Sequence, residues 1–145
     1  MDEEIAARVA VVAHHPSTLR LVEAALAEDI GRGDVTTTAA LPPGLRATAT
    51  ITTEEPCVVA GLFLAPIAYG LVDPALQVAV LAEDGAAGDV ETRVVRIEGR
   101  AAGILAGERL VLNLLQHLSG VATLTRRFVD AVHGSNASIV DTRKT

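Results

Sequence analysis

Residues 104–145 read ILAGERLVLNLLQHLSGVATLTRRFVDAVHGSNASIVDTRKT, and their pattern decides how the chain is organised. Up to Gly134 the apolar positions recur every three to four residues, the period of a helix with one buried face. A continuous helix over this span would run about 45 Å, long for a domain of this size. Ser119-Gly120 offers a break, with Ser119 as N-cap of a second helix. Gly134 stands where helices commonly end. Beyond it Ser138, Ile139, Val140 and Asp141 read as one short strand, followed at once by Thr142, Arg143, Lys144 and Thr145. A lone strand cannot be a sheet. The expectation is therefore that its partner strands belong to a further portion of a longer protein.

Upstream lies the layer against which the helical region packs. Pro16 and Ser17 open a helix in which Leu19, Val22, Leu26 and Ile30 form an amphipathic stripe, ended by Gly31 and Gly33. A loop with Pro42 and Pro43 follows, to about Gly44. RATATITTEE (46–55) alternates small apolar residues with threonines, the period of a strand, and PCVVAG (56–61) reads as a second, buried strand. LFLAPIAYGLV (62–72) predicts a helix with Pro66 in its first turn. Residues 75–85 and 91–101 read as two more strands around a loop with Gly85 and Gly88. The fold class is α+β. An N-terminal α/β sandwich of about four strands and two helices spans residues 1–115, and the start of a second domain spans 116–145.

Composition narrows the function. Half the residues are apolar and only 2% are aromatic, which suits helices packed on a sheet and argues against disorder. A net charge of −6, with Lys144 as the sole lysine, argues against a general nucleic-acid binder. Cys57 stands alone, so no disulfide framework is expected, and it reads as a buried small hydrophobe. No apolar run reaches the length of a membrane span. The start, MDEEIAARVAVV, is acidic where a secretory signal is basic, so a cytoplasmic location is expected.

Three basic side chains are candidates for chemistry. Arg143 and Lys144 follow the 138–141 strand directly, and parallel α/β folds bind ligands at the carboxyl ends of strands. Arg offers a planar fork to a carboxylate, and Lys a point charge to a phosphate. Solvated surface charge is the competing reading for both. It is the stronger one for Arg109, beside Glu108 on a helix. His14 and His15 are adjacent but have no third ligand at metal spacing, and His117 and His133 lie on helices. EDIGRGD (28–34) follows a helix, so Glu28, Asp29 and Asp34 read as a glycine cap and turn rather than a phosphate loop or metal site.

AEDIGRGDVTT (27–37), GERLVLNLLQHLSGVATLT (107–125) and DTRKT (141–145) together resemble the quinolinate phosphoribosyltransferase family, in order and separation as well as content. The last two blocks are specific and the first is looser. The resemblance implies an N-terminal sandwich followed by an α/β barrel, with residues 138–145 as the first barrel strand and the beginning of its active-site loop. It implies transfer of phosphoribose from phosphoribosyl pyrophosphate to quinolinate, with release of pyrophosphate and carbon dioxide, to make nicotinate mononucleotide. Arg109 and Arg143 would hold quinolinate carboxylates, and Thr142 would assist through its hydroxyl or backbone. Lys144 would be the catalytic residue, facing the substrate and phosphoribosyl groups. Magnesium is implied as cofactor, with its ligands in the portion beyond these residues. The implied assembly is a homodimer or larger, with the N-terminal domain of one subunit covering the barrel mouth of its partner. The chain by itself is expected to be inactive.

Other readings remain at this point. A paralogous protein of the molybdenum-transport-associated type would share these blocks. A non-catalytic dimerisation or binding domain is a further possibility. Residues 83–105 resemble half of a biotinyl/lipoyl-type hairpin, but no lysine stands at its tip to be modified.

Overall fold

The computed structural model describes residues 3–31 and 40–142. Helix α1 (Glu3–Ala13) was not anticipated from its sequence. Helix α2 (Pro16–Ile30) follows it, and the Nδ1 of His15 accepts from the Ser17 N–H at 3.2 Å as its N-cap. One of the adjacent histidines thus has a capping role. Strands β1 (Arg46–Thr52) and β2 (Cys57–Val58) come next, then helix α3 (Leu64–Val72) with Pro66 in its first turn. Strands β3 (Gln77–Val80), β4 (Ala87–Gly88) and β5 (Arg93–Arg100) lead into the long helix α4 (Ala101–Ala131).

β5 is the centre of an antiparallel sheet ordered β1-β5-β3, while β2 pairs with β4 in a separate two-stranded ladder. That ladder places a short strand at Gly88, where a loop was expected. It also divides residues 83–105 between two sheets, so they do not form the carrier-type hairpin they resemble. Ile51 faces Val95 but Thr52 faces Arg93, which leaves Val94 as an extra residue on β5. Such a bulge lets neighbouring residues turn the same way, and Val94 and Val95 are both buried. α3 and α4 cover the sheet, and α2 lies across both through Val22 and Leu26. The sandwich is therefore a sheet, a helix pair and an outer helix around one core.

α4 is unbroken across Ser119-Gly120, contrary to the expected break. The reason is tertiary. Ser119 Oγ accepts from the Ala60 N–H at 3.0 Å, and one turn on, Thr123 Oγ1 accepts from the Val58 N–H at 2.9 Å. Both hydroxyls are spent on β2 and its exit, so Ser119 does not cap a new helix. The expected division after residue 115 falls inside this one helix. Each hydrogen bond contributes about 0.5–1.5 kcal/mol. Ser119→Ala is expected to destabilise the protein by about that amount, read as a lowered urea midpoint with an unchanged slope.

The expected 138–141 strand does not form. Residues 137–142 have no regular structure, and Ile139 and Val140 are exposed. Among the described residues nothing pairs with them, and an unpaired strand has no ladder to hold it.

Candidate functional site

Two ion pairs, Arg100 with Asp73 and Arg109 with Asp29, lie at the N-terminal half of α4. Arg100 is the N-cap residue, and Gly103 and Gly107 present bare backbone toward α3. A Cβ on Gly107 would lie 2.7 Å from Tyr69 Cε1, and one on Gly103 would lie 3.2 Å from Asp73 Oδ2. Gly107 lets the Tyr69 ring, 1% exposed, press directly against the helix, and Gly103 makes room for Asp73. Burial, helped by Glu108, pushes the Tyr69 hydroxyl up to about 12, so it stays protonated.

Asp73 ends α3 and is only 4% exposed. Its Oδ2 accepts from Arg100 Nε at 2.8 Å and its Oδ1 from the Ala75 N–H at 3.0 Å. The Arg100 hydrogen bond first, then the Ala75 bond, hold this carboxyl below its ordinary value of 3.8. A carboxyl lowered in the folded state adds stability above its unfolded value. That stability drains away as pH falls through the folded value. Asp73→Asn is expected to remove this contribution, lowering the melting temperature at pH 7 and flattening its fall below about pH 4. An acid limb as steep as that of the unaltered protein would contradict this. An Asp-Pro pair predicts a turn, and Asp73 makes one. Its Arg100 partner, from another element, was invisible in sequence.

Arg109 lies two residues beyond the Gly107 seat, 78% exposed, with Nη1 3.6 Å from Oδ1 of Asp29. Asp29 belongs to the last turn of α2, closed by Gly31 at φ +53, whose N–H donates to the Ala27 carbonyl at 3.1 Å. The glycine-cap reading of EDIGRGD holds for Gly31, while Asp34 lies outside the described residues.

Thr142 is exposed, and Arg143 and Lys144 lie outside the described residues. Twenty-two residues of α4, about 33 Å of helix, separate Arg109 from the end at Ala131. No hydrogen bond or ion pair among the described residues joins Arg109 to Thr142. Of the predicted site residues only Arg109 and Thr142 are described, and they are not in contact in this chain.

A groove of about 810 Å³ runs between the turn after β1 and the C-terminal half of α4. Leu62, Val94 and Leu115 line its apolar part, and Glu54, Glu55 and Arg127 stand among its polar residues. Cys57 lines it half-buried, and burial together with Glu55 pushes its thiol up, which suits an inert thiol. Among the described residues, no group of three or more His, Cys, Asp or Glu could hold a metal ion. None of the described helices is long and apolar enough to cross a membrane.

The family model for the quinolinate phosphoribosyl transferase N-terminal domain matches residues 34–119, more than half of the chain. The chain belongs to the quinolinate phosphoribosyl transferase family. It is 40% identical, over its whole length, to a chloroplastic carboxylating nicotinate-nucleotide pyrophosphorylase of Oryza sativa subsp. japonica, and covers 39% of that protein. It is 43% identical over 120 residues to a probable carboxylating nicotinate-nucleotide pyrophosphorylase of Synechocystis, covering 83% of this chain and 40% of that protein. In three dimensions it is similar to the nicotinate-nucleotide pyrophosphorylase of Francisella tularensis. The TM-score is 0.84 at 32% identity, over 92% of this chain and 48% of the other. The chain spans about two-fifths of the length of these curated relatives. Within the quinolinate phosphoribosyl transferase family, then, it supplies a sandwich domain with its long helix.

Proposed function

We propose that this chain is the N-terminal portion of an enzyme that transfers phosphoribose from phosphoribosyl pyrophosphate to quinolinate, giving nicotinate mononucleotide, carbon dioxide and pyrophosphate. One observation carries the reading: the match to a carboxylating nicotinate-nucleotide pyrophosphorylase runs the whole length of the chain at 40% identity, the DTRKT block included.

Quinolinate is a dianion and the donor carries several phosphates, so the site must be cationic. Arg109 and Arg143 serve as forks for the two carboxylates, with Thr142 beside them, and Lys144 faces the phosphoribosyl group. Such groups act by fixing the dianion and countering charge as the sugar carbon becomes cationic. Residues 1–115 form the sandwich and 116–145 enter the second domain, with α4 continuous through both. The exposure of Arg109, and its lack of any link to Thr142, support a site shared between two subunits of a homodimer. Arg109 would then reach the neighbour's site while Arg143 and Lys144 serve their own.

The test uses the complete gene product, assayed with quinolinate, phosphoribosyl pyrophosphate and magnesium. Nicotinate mononucleotide is the expected product, and none is expected from the 145-residue chain alone. Turnover by that chain near the complete protein's rate would refute the division of labour. Arg109→Ala and Arg143→Ala, inactive separately, are then mixed in equal amounts under subunit exchange. About half the dimers become mixed, and in each of these one site carries both lesions and the other neither. Activity should return to about a quarter. No recovery, with exchange confirmed by mass, would place Arg109 in its own subunit's site.

A further inference from the structure

We propose that Asp29 is a positioning residue for Arg109, bracing its guanidinium so that the free edge meets a substrate carboxylate. The inference rests on the reading of Arg109 as a ligand of quinolinate. It goes beyond that reading by giving a function to an acid that otherwise looks like part of a helix cap.

Asp29 is placed to meet a cation from another element. It lies in the last turn of α2, where the unpaired carbonyls make the helix end negative. Its side chain is partly covered, 22% exposed, so its position is held by its surroundings. Among the described residues the cation that faces it is Arg109, with Nη1 3.6 Å from Oδ1. The brace itself is anchored, because Val22 and Leu26 bury α2 in the core and Gly31 stops the helix two residues later.

The contact uses one corner of the guanidinium. Arg carries five N–H donors in a rigid plane, so a partner at Nη1 leaves Nε and Nη2 available for a bidentate carboxylate. The 78% exposure of Arg109 means that the remaining edge faces outward. A long, unbraced arginine loses rotamer freedom when it binds, and a brace removes part of that loss beforehand. Asp29 does not touch substrate in this scheme. It acts through Arg109.

The experiment is a double-mutant cycle in the complete protein, with quinolinate affinity measured by calorimetry and kcat measured at saturating substrates. Asp29→Asn is expected to raise the Kd and KM for quinolinate about three- to ten-fold, the scale of one immobilised side chain, with kcat unchanged. In an Arg109→Ala background the same substitution is expected to leave the Kd unchanged. An equal rise in both backgrounds would mean a structural role and overturn the proposal. So would a tighter Kd in Asp29→Asn, which would make Asp29 a competitor for Arg109. If Arg109→Ala weakens binding and Asp29→Asn does not, the proposal alone fails. If Arg109→Ala binds quinolinate normally, the reading of Arg109 fails and takes the proposal with it.

Discussion

Arg143→Ala in the complete protein is expected to weaken quinolinate binding by about 30- to 4,000-fold. The range follows from the loss of a hydrogen-bonded charge partner in a desolvated site, about 2–5 kcal/mol, at tenfold per 1.4 kcal/mol. A solvated charge at the rim contributes little, about 0–1 kcal/mol, so the two readings of Arg143 differ by more than measurement error. The assignment comes from its place in DTRKT, directly after the apolar pair Ile139-Val140. Calorimetric titration with quinolinate decides it. A dissociation constant within a few-fold of the unaltered protein's would return Arg143 to the surface. Arg143→Lys separates charge from shape, since a lysine keeps the charge and loses the fork. A lysine variant as weak as the alanine one would show that the planar geometry carries the recognition.

Tyr69→Ala should have the largest effect on stability. The ring is 1% exposed and lies against Gly107, at the joint of α3 and α4. Replacing a large buried aromatic residue by alanine costs about 3–5 kcal/mol, a large share of the 5–15 kcal/mol that holds a domain together. The expected result is a protein partly unfolded at 37 °C, seen in urea unfolding followed by circular dichroism. Gly107→Ala attacks the same joint from the other side, because the new Cβ would lie 2.7 and 2.8 Å from two ring carbons. Overpacking of this kind costs about 1–3 kcal/mol. The two changes should not add. With the ring gone, the methyl group added at position 107 enters the space it left, so the double variant should be more stable than the sum of the singles implies. Strict additivity would mean that Gly107 and the ring do not share a contact that matters. Arg109 lies two residues beyond Gly107, so loosening this joint is expected to disturb that side chain as well.

Local pattern was legible where a residue's neighbours in sequence are also its neighbours in space. The Leu19–Val22–Leu26–Ile30 stripe became α2, and Pro66 entered the first turn of α3 as its missing N–H allows. The Thr/Ala alternation became β1. The resemblance carried by GERLVLNLLQHLSGVATLT and DTRKT also lay in the sequence, because it depends on residue identity and order alone. Arg109 could be named from that block, but nothing in the block points to Asp29, eighty positions earlier.

The tertiary structure decided the rest, for a consistent reason. Ser119-Gly120 has the composition of a helix break, and a mid-helix glycine costs about 1 kcal/mol relative to alanine. Yet α4 continues, because Ser119 and Thr123 find the N–H groups of Ala60 and Val58 across the domain. Gly88 joined a two-stranded ladder only because β2 was within reach. Residues 138–141 have the composition of a strand and form none here, since a strand needs partners and the described residues offer none. Asp73 became a buried joint through Arg100, twenty-seven residues away. Propensity and motif are properties of a segment, whereas a hydrogen-bond or ion-pair partner from a distant segment exists only once the chain has folded.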